Sequence, residues 1–94
     1  MDENQKPRYC LKAADVTFVG TDEGGVLYRH ADSEYLGLNK TGSYIVSVLE
    51  EPQTMDAIAT AIEARFKVDG ERALADAKAF LDSMLKAGVV ALCE

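Results

Sequence analysis

The chain has little of the chemistry on which most functions rest. Its 94 residues include one histidine, two cysteines and two prolines, and only 10 lysines and arginines against 16 aspartates and glutamates. The formal net charge of -6 and the pI near 4.7 oppose polyanionic partners, because duplex DNA binding draws most of its affinity from a basic face. Cys10 and Cys93 stand near opposite ends of the chain, without a histidine nearby. They fall short of the four or so nitrogen and sulfur ligands of a zinc site, so no metal is expected. They read as thiols of a reducing compartment rather than as a disulfide. No apolar run is long enough to span a bilayer. The polar opening Met1-Asp2-Glu3-Asn4-Gln5-Lys6 is not followed by an apolar stretch, which argues against a secretory signal and predicts a cytoplasmic protein.

Catalytic groupings are missing too. His30, on a predicted strand, has no cysteine or serine partner by motif. Glu50-Glu51 reads as a solvated helix end rather than an acid/base pair. The only glycine doublet, Gly24-Gly25, lacks the spacing and the following lysine of a phosphate loop, so it reads as a hairpin turn. No catalytic residue and no cofactor is assigned, and the chain is not expected to be an enzyme in its own right.

What is present is a foldable core. Hydrophobic residues make up 48% of the chain, and the length fits one domain, residues 1–94, with a core over about 14–92. The first half reads as strands. Val16-Thr17-Phe18-Val19, Val26-Leu27-Tyr28-Arg29-His30 and Glu34-Tyr35-Leu36-Gly37-Leu38 are separated by the polar turns Thr21-Asp22-Glu23-Gly24-Gly25 and Ala31-Asp32-Ser33. Strands in series with short turns predict an antiparallel meander. Arg8-Tyr9-Cys10-Leu11 adds a possible extended segment.

The second half changes period. Asn39 caps a predicted helix that runs to about residue 51 and ends before Pro52, with Ile45, Val48 and Leu49 on its apolar side. Thr54 caps a second, with the stripe Met55, Ile58, Ala59, Ile62 and Phe66. Asp69 caps a third, whose stripe is Leu74, Ala77, Leu81, Met84 and Leu85 and whose stop is Gly88. Val89-Val90-Ala91-Leu92 follows as a short extended tail. The fold class is thus α+β and winged-helix-like, an N-terminal three-stranded antiparallel sheet followed by three helices. A winged-helix plan raises the alternative of a DNA-binding regulator. The second helix, however, offers only Arg65 against Asp56 and Glu63, and the third balances Arg72, Lys78 and Lys86 against Glu71, Asp76 and Asp82.

The segment from Tyr35 through Leu38-Asn39 to Gly42 and Ile45 resembles the "y-x-LN-x-x-g-x-x-i" pattern of PqqD-like proteins. The likeness continues through Val48-Leu49-Glu50-Glu51-Pro52-Gln53-Thr54, then Ile58, Ile62, Phe66 and Val68-Asp69. It closes on Asp76-Ala77-Lys78-Ala79-Phe80-Leu81 and Leu85-Lys86-Ala87-Gly88-Val89-Val90, similar to the family's "D-x-x-x-F-L-x-x-L-x-x-x-G-l-l" ending. No single piece is specific; the ordered set is. The resemblance implies a RiPP recognition element, a peptide chaperone that binds the leader of a ribosomally made precursor for a modifying enzyme such as a radical SAM protein. It does not select among cofactor, lasso-peptide, sactipeptide and other pathways.

In that family the guest adds as a strand beside the third strand of the meander and packs against the third helix. Carried onto this chain, the peptide-binding residues are Glu34, Tyr35, Leu36, Gly37 and Leu38 on the strand, with Ala75, Lys78, Ala79 and Asp82 on the helix. The small alanines leave a shallow channel, and Lys78 meets an acidic guest side chain. The expected partners are a precursor leader peptide and its modifying enzyme, not nucleic acid or membrane, and the chain is expected to be a monomer or homodimer through its open edge.

Overall fold

A computed structural model describes residues 7–93; the polar opening at residues 1–6 lies outside them. The meander forms as its alternating pattern predicts. Strands β2 (Val16–Thr21), β3 (Gly24–Arg29) and β4 (Glu34–Leu38) pair in the order β2-β3-β4, all antiparallel. Side chains alternate across the sheet. Val16, Phe18, Leu27, Leu36 and Leu38 turn inward onto the core, while Thr17, Val19, Val26, Tyr35 and Gly37 face out.

The β2–β3 turn is tighter than the sequence suggests: only Asp22 and Glu23 separate the strands. The Thr21 hydroxyl accepts from the Glu23 N–H and donates to the Gly24 carbonyl. Neither loop residue has a positive φ. That conformation is displaced onto Gly24, at φ 144°, where a side chain would also strike the Leu38 carbonyl oxygen at 2.5 Å. Glycine is therefore needed here on two grounds.

The three helices are α1 (Lys40–Val48), α2 (Met55–Phe66) and α3 (Gly70–Ala87). Their caps are those read from the sequence. The side chains of Asn39, Thr54 and Asp69 accept from the N–H groups of Gly42, Ala57 and Arg72, and Gly88 closes α3 in the left-handed conformation. Helix α1 stops at Val48, earlier than the expected end near residue 51. Its last turn tightens, with the Leu49 N–H shared between the Ile45 and Val46 carbonyls and the Glu50 N–H bonded to Ser47. Glu51 and Pro52 form the bend that follows, and the next strand segment begins only at Gln53.

The core lies between the inner face of the meander and the three helices. Leu27, Ile45, Leu49, Ile58, Ile62 and Leu81 are fully enclosed. On α3 the buried line is Ala73, Ala77, Leu81 and Met84, while Leu74 and Leu85 of the expected stripe are only half-buried. Ala73 and Ala77 are fully buried, and α2 is the element against which α3 packs most extensively.

A second sheet was not foreseen from sequence. The extended segment β1 (Arg8–Leu11) is its centre, between β5 (Gln53–Thr54) and β6 (Val90–Cys93), both antiparallel to it. Arg8 pairs with Cys93 and Leu11 with Val90, so the two ends of the described chain are stitched together. Tyr9 and Leu11 pack on the core from this sheet. Cys10 lies opposite Ala91, two steps along the ladder from Cys93, with no disulfide among the described residues.

Candidate functional site

Strand β4 is an edge of its sheet, and the ladder phase says which backbone groups it leaves open. The His30 N–H bonds to the Asp15 carbonyl, so the pair 15–30 is hydrogen-bonded and pairs alternate from there. Thr17, Val19 and Thr21 bond inward to β3. The residues of β3 that bond to β4 are then Gly25, Leu27 and Arg29, opposite Leu38, Leu36 and Glu34. The N–H and C=O groups of Tyr35 and Gly37 point outward, free to meet another strand.

Side chains around this edge fall into two sets. Tyr35 is 72% exposed on the outer face, its ring 4.9 Å from that of Tyr28, which is in turn 5.5 Å from the His30 ring. Gly37 lies on the same face with nothing within 4 Å of where a Cβ would stand. Leu36 and Leu38 face inward and are half-buried. An inner residue on an edge strand keeps its remaining exposure on the edge side, so these two leucines offer apolar surface to whatever lies alongside β4.

Helix α3 is held beside that edge at two points. At the start of β4, Arg29 (opposite Glu34) donates to the Ala87 carbonyl near the helix C-terminus and to both oxygens of Asp32 in the β3–β4 turn. Just past the end of β4, the Phe80 ring covers Gly42 at the start of α1, with Phe80 Cε1 2.8 Å from where a Gly42 Cβ would stand. The stretch of α3 from Phe80 to Ala87 therefore leads from the side where β4 ends back toward the side where it starts. The double hydrogen bond to Arg29 holds the Asp32 carboxyl below the usual carboxylate range, and the same bond raises the Arg29 guanidinium. Sequence reasoning missed Arg29 as a clamp. Its only local signal is a turn aspartate three residues on.

The structure brings Glu34, Tyr35, Leu36, Gly37 and Leu38 together along the edge. The four α3 residues are all exposed. Phe80 and Ala87 mark the flank of α3 that turns toward β4, and helical spacing puts Asp76 and Ser83 on the same line. Ala79 borders that line. Ala75, Lys78 and Asp82 lie further round, across the helix from the buried Ala73, Ala77 and Met84. Phe80, half-buried, is the apolar group of α3 that packs over Gly42, just past the end of β4.

Neither helix presents a row of cations to nucleic acid. Arg65 of α2 lies against the rings of Tyr44 and Phe66, and Arg72 of α3 pairs with Asp76. Among the described residues no three His, Cys, Asp or Glu side chains gather to hold a metal, and no helix is long and apolar enough to cross a membrane.

Two solved structures share this architecture. One is described as TbiB1 in complex with the TbiA(beta) leader peptide. It is 28% identical, with a TM-score of 0.76 over 86% of this chain and 93% of that one. The other is a lasso peptide synthetase B1 complexed with the leader peptide, 25% identical, with a TM-score of 0.74 over 88% of this chain and 96% of that one. No curated protein matches the chain. Residues 24–90, from the first residue of β3 to the first residue of β6, match the model of coenzyme PQQ synthesis protein D, and the chain belongs to that PqqD family.

Proposed function

We infer that the chain is a non-catalytic chaperone for a precursor peptide, gripping the leader segment and presenting the peptide to a modifying enzyme, for example a radical SAM maturase. The observation that carries this reading is the open β4 edge beside α3, in a fold whose two solved relatives each hold a leader peptide. The whole chain acts as one domain in this reading. A ribosomal precursor and its modifying enzyme meet in the cytoplasm.

The guest lies antiparallel or parallel to β4 and bonds to the N–H and C=O groups of Tyr35 and Gly37, which supplies sequence-independent affinity. Side chains on its inner face meet Leu36, Leu38 and Phe80; those on its outer face lie beside Tyr35. Gly37 leaves room for a bulky residue there. Glu34 marks the end where the Arg29 clamp closes the seam. On α3, Ala79 borders the guest, and Ala75, Lys78 and Asp82 are reached only where the leader continues over the helix. A flexible peptide loses entropy on docking, so a dissociation constant of about 1 μM, or about 8 kcal/mol, is expected.

Titrating the labelled chain with the leader of a precursor encoded beside it tests the reading by backbone NMR. Saturable shifts centred on residues 34–38 and on Phe80 and Ser83 are expected. Shifts absent with every neighbouring leader, together with salt-sensitive shifts on adding duplex DNA, would overturn it in favour of a regulator.

A further inference from the structure

The meander has a second open edge, on the side away from β4. There β2, α1 and α2 enclose a cleft of about 490 Å³, within the range of sites that seat a side chain or small ligand. Three aromatic rings line it, beside the hydroxyl side chains of Thr21, Ser43 and Ser47. The Tyr44 and Phe66 rings meet edge to face at 5.7 Å and 88°, and Phe18 forms the third wall. The Phe18 ring folds across Gly20: a Cβ there would stand 2.5 Å from Phe18 Cζ. Glycine at that position thus shapes the cleft.

Two cations line it, Lys40 and Arg65, against the single carboxylate of Asp22, on a chain whose net charge is -6. Arg65 enters no ion pair among the described residues. Its guanidinium lies 5.1 Å from the Phe66 centroid and 5.8 Å from that of Tyr44. Arg65 is exposed, its guanidinium is oriented by the rings beside it, and its planar fork matches a carboxylate. The ladder phase also leaves the N–H and C=O groups of Phe18 and Gly20 pointing out from β2. One cleft therefore offers an open strand edge, three rings and an excess of positive charge.

We propose that this cleft is a second docking site, which takes an extended acidic segment of a partner polypeptide carrying one aromatic residue. The segment's backbone adds along Phe18 and Gly20, its aromatic side chain enters among Phe18, Tyr44 and Phe66, and a flanking carboxylate meets Arg65. Two cations are too small a basic footprint for a nucleic acid, whose affinity rests on many phosphate contacts. The site is independent of the β4 edge, so a leader on one side and a partner on the other are bound at once.

The test is an NMR titration of the full chain with an eight-residue peptide bearing Phe between two Asp residues, and with the same peptide bearing Lys for Asp. Saturable shifts at Phe18, Gly20 and Arg65 are expected from the acidic peptide, with Tyr35 and Gly37 unmoved. The lysine peptide binds at least about fivefold more weakly, and Arg65→Gln lowers acidic-peptide affinity about tenfold. Each of four results overturns the proposal: no saturable shift, equal affinity for both peptides, the same shifts from acetate alone, or the same shifts on concentrating the chain without peptide, which marks a second copy as the occupant.

Discussion

At the scale of single residues, two positions carry more than their type suggests. Gly24 combines a φ of 144° with a Leu38 carbonyl oxygen where its side chain would be. Gly24→Ala is expected to lower stability by about 2–3 kcal/mol, read as a lower urea midpoint with an unchanged slope. The second position is Arg29, joined to Asp32 and to the end of α3. Asp32 has its carboxyl depressed by that bond. A depressed acid stabilises the fold above its unfolded value, and the contribution is lost as pH falls through the folded one. The Asp32 carboxyl resonance should therefore titrate below the ordinary aspartate value of about 3.9, and in Arg29→Met the midpoint should return toward that value. Both effects were out of reach from sequence. A glycine doublet announces a turn but not which glycine holds the unusual torsion, and a strand arginine does not announce its distant carbonyl.

Among the elements, caps and periods were legible. Asn39, Thr54, Asp69 and Gly88 do what local rules require of them, because a cap is settled within three or four residues. The alternation of β4 was equally readable, with Leu36 and Leu38 inward and Tyr35 and Gly37 outward. The rotation of α3 was less so. Both the Leu74 stripe and the Ala73 line satisfy helical spacing, and packing against α2 chose the second. That choice places Phe80 toward β4 and turns Lys78 and Asp82 away. The edge itself yields a sharp prediction. Gly37→Pro removes an N–H that no neighbouring strand uses and puts a ring in the guest's path. Leader affinity should fall at least tenfold, about 1.4 kcal/mol, by calorimetry, with the thermal midpoint little changed. Retained affinity would move the guest off β4.

For the whole molecule, the second sheet matters most. Its central strand β1 lies at the start of the described chain and pairs with β6 at its end. The expected core over about 14–92 leaves that strand out. A chain begun at residue 14 would lose Tyr9 and Leu11 from the core and expose the edges of β5 and β6. It should unfold at a urea midpoint lower than that of the full chain and self-associate through the exposed edges, measurable by sedimentation. The full chain should unfold in one transition.

From the sequence alone came the element types, their caps, the in-and-out alternation of the meander, the acidic field and the family likeness. All of these depend on residue identity and on spacings of two to four. The tertiary structure alone decided the pairing of Arg8 with Cys93, the rotation of α3, the Arg29 clamp and the two open edges with their different walls. These rest on contacts between residues far apart in the chain, 58 positions for Arg29 and Ala87 and more for Arg8 and Cys93. Short-range pattern is silent about such contacts, because many pairings bury the same apolar residues and only the packed whole selects one.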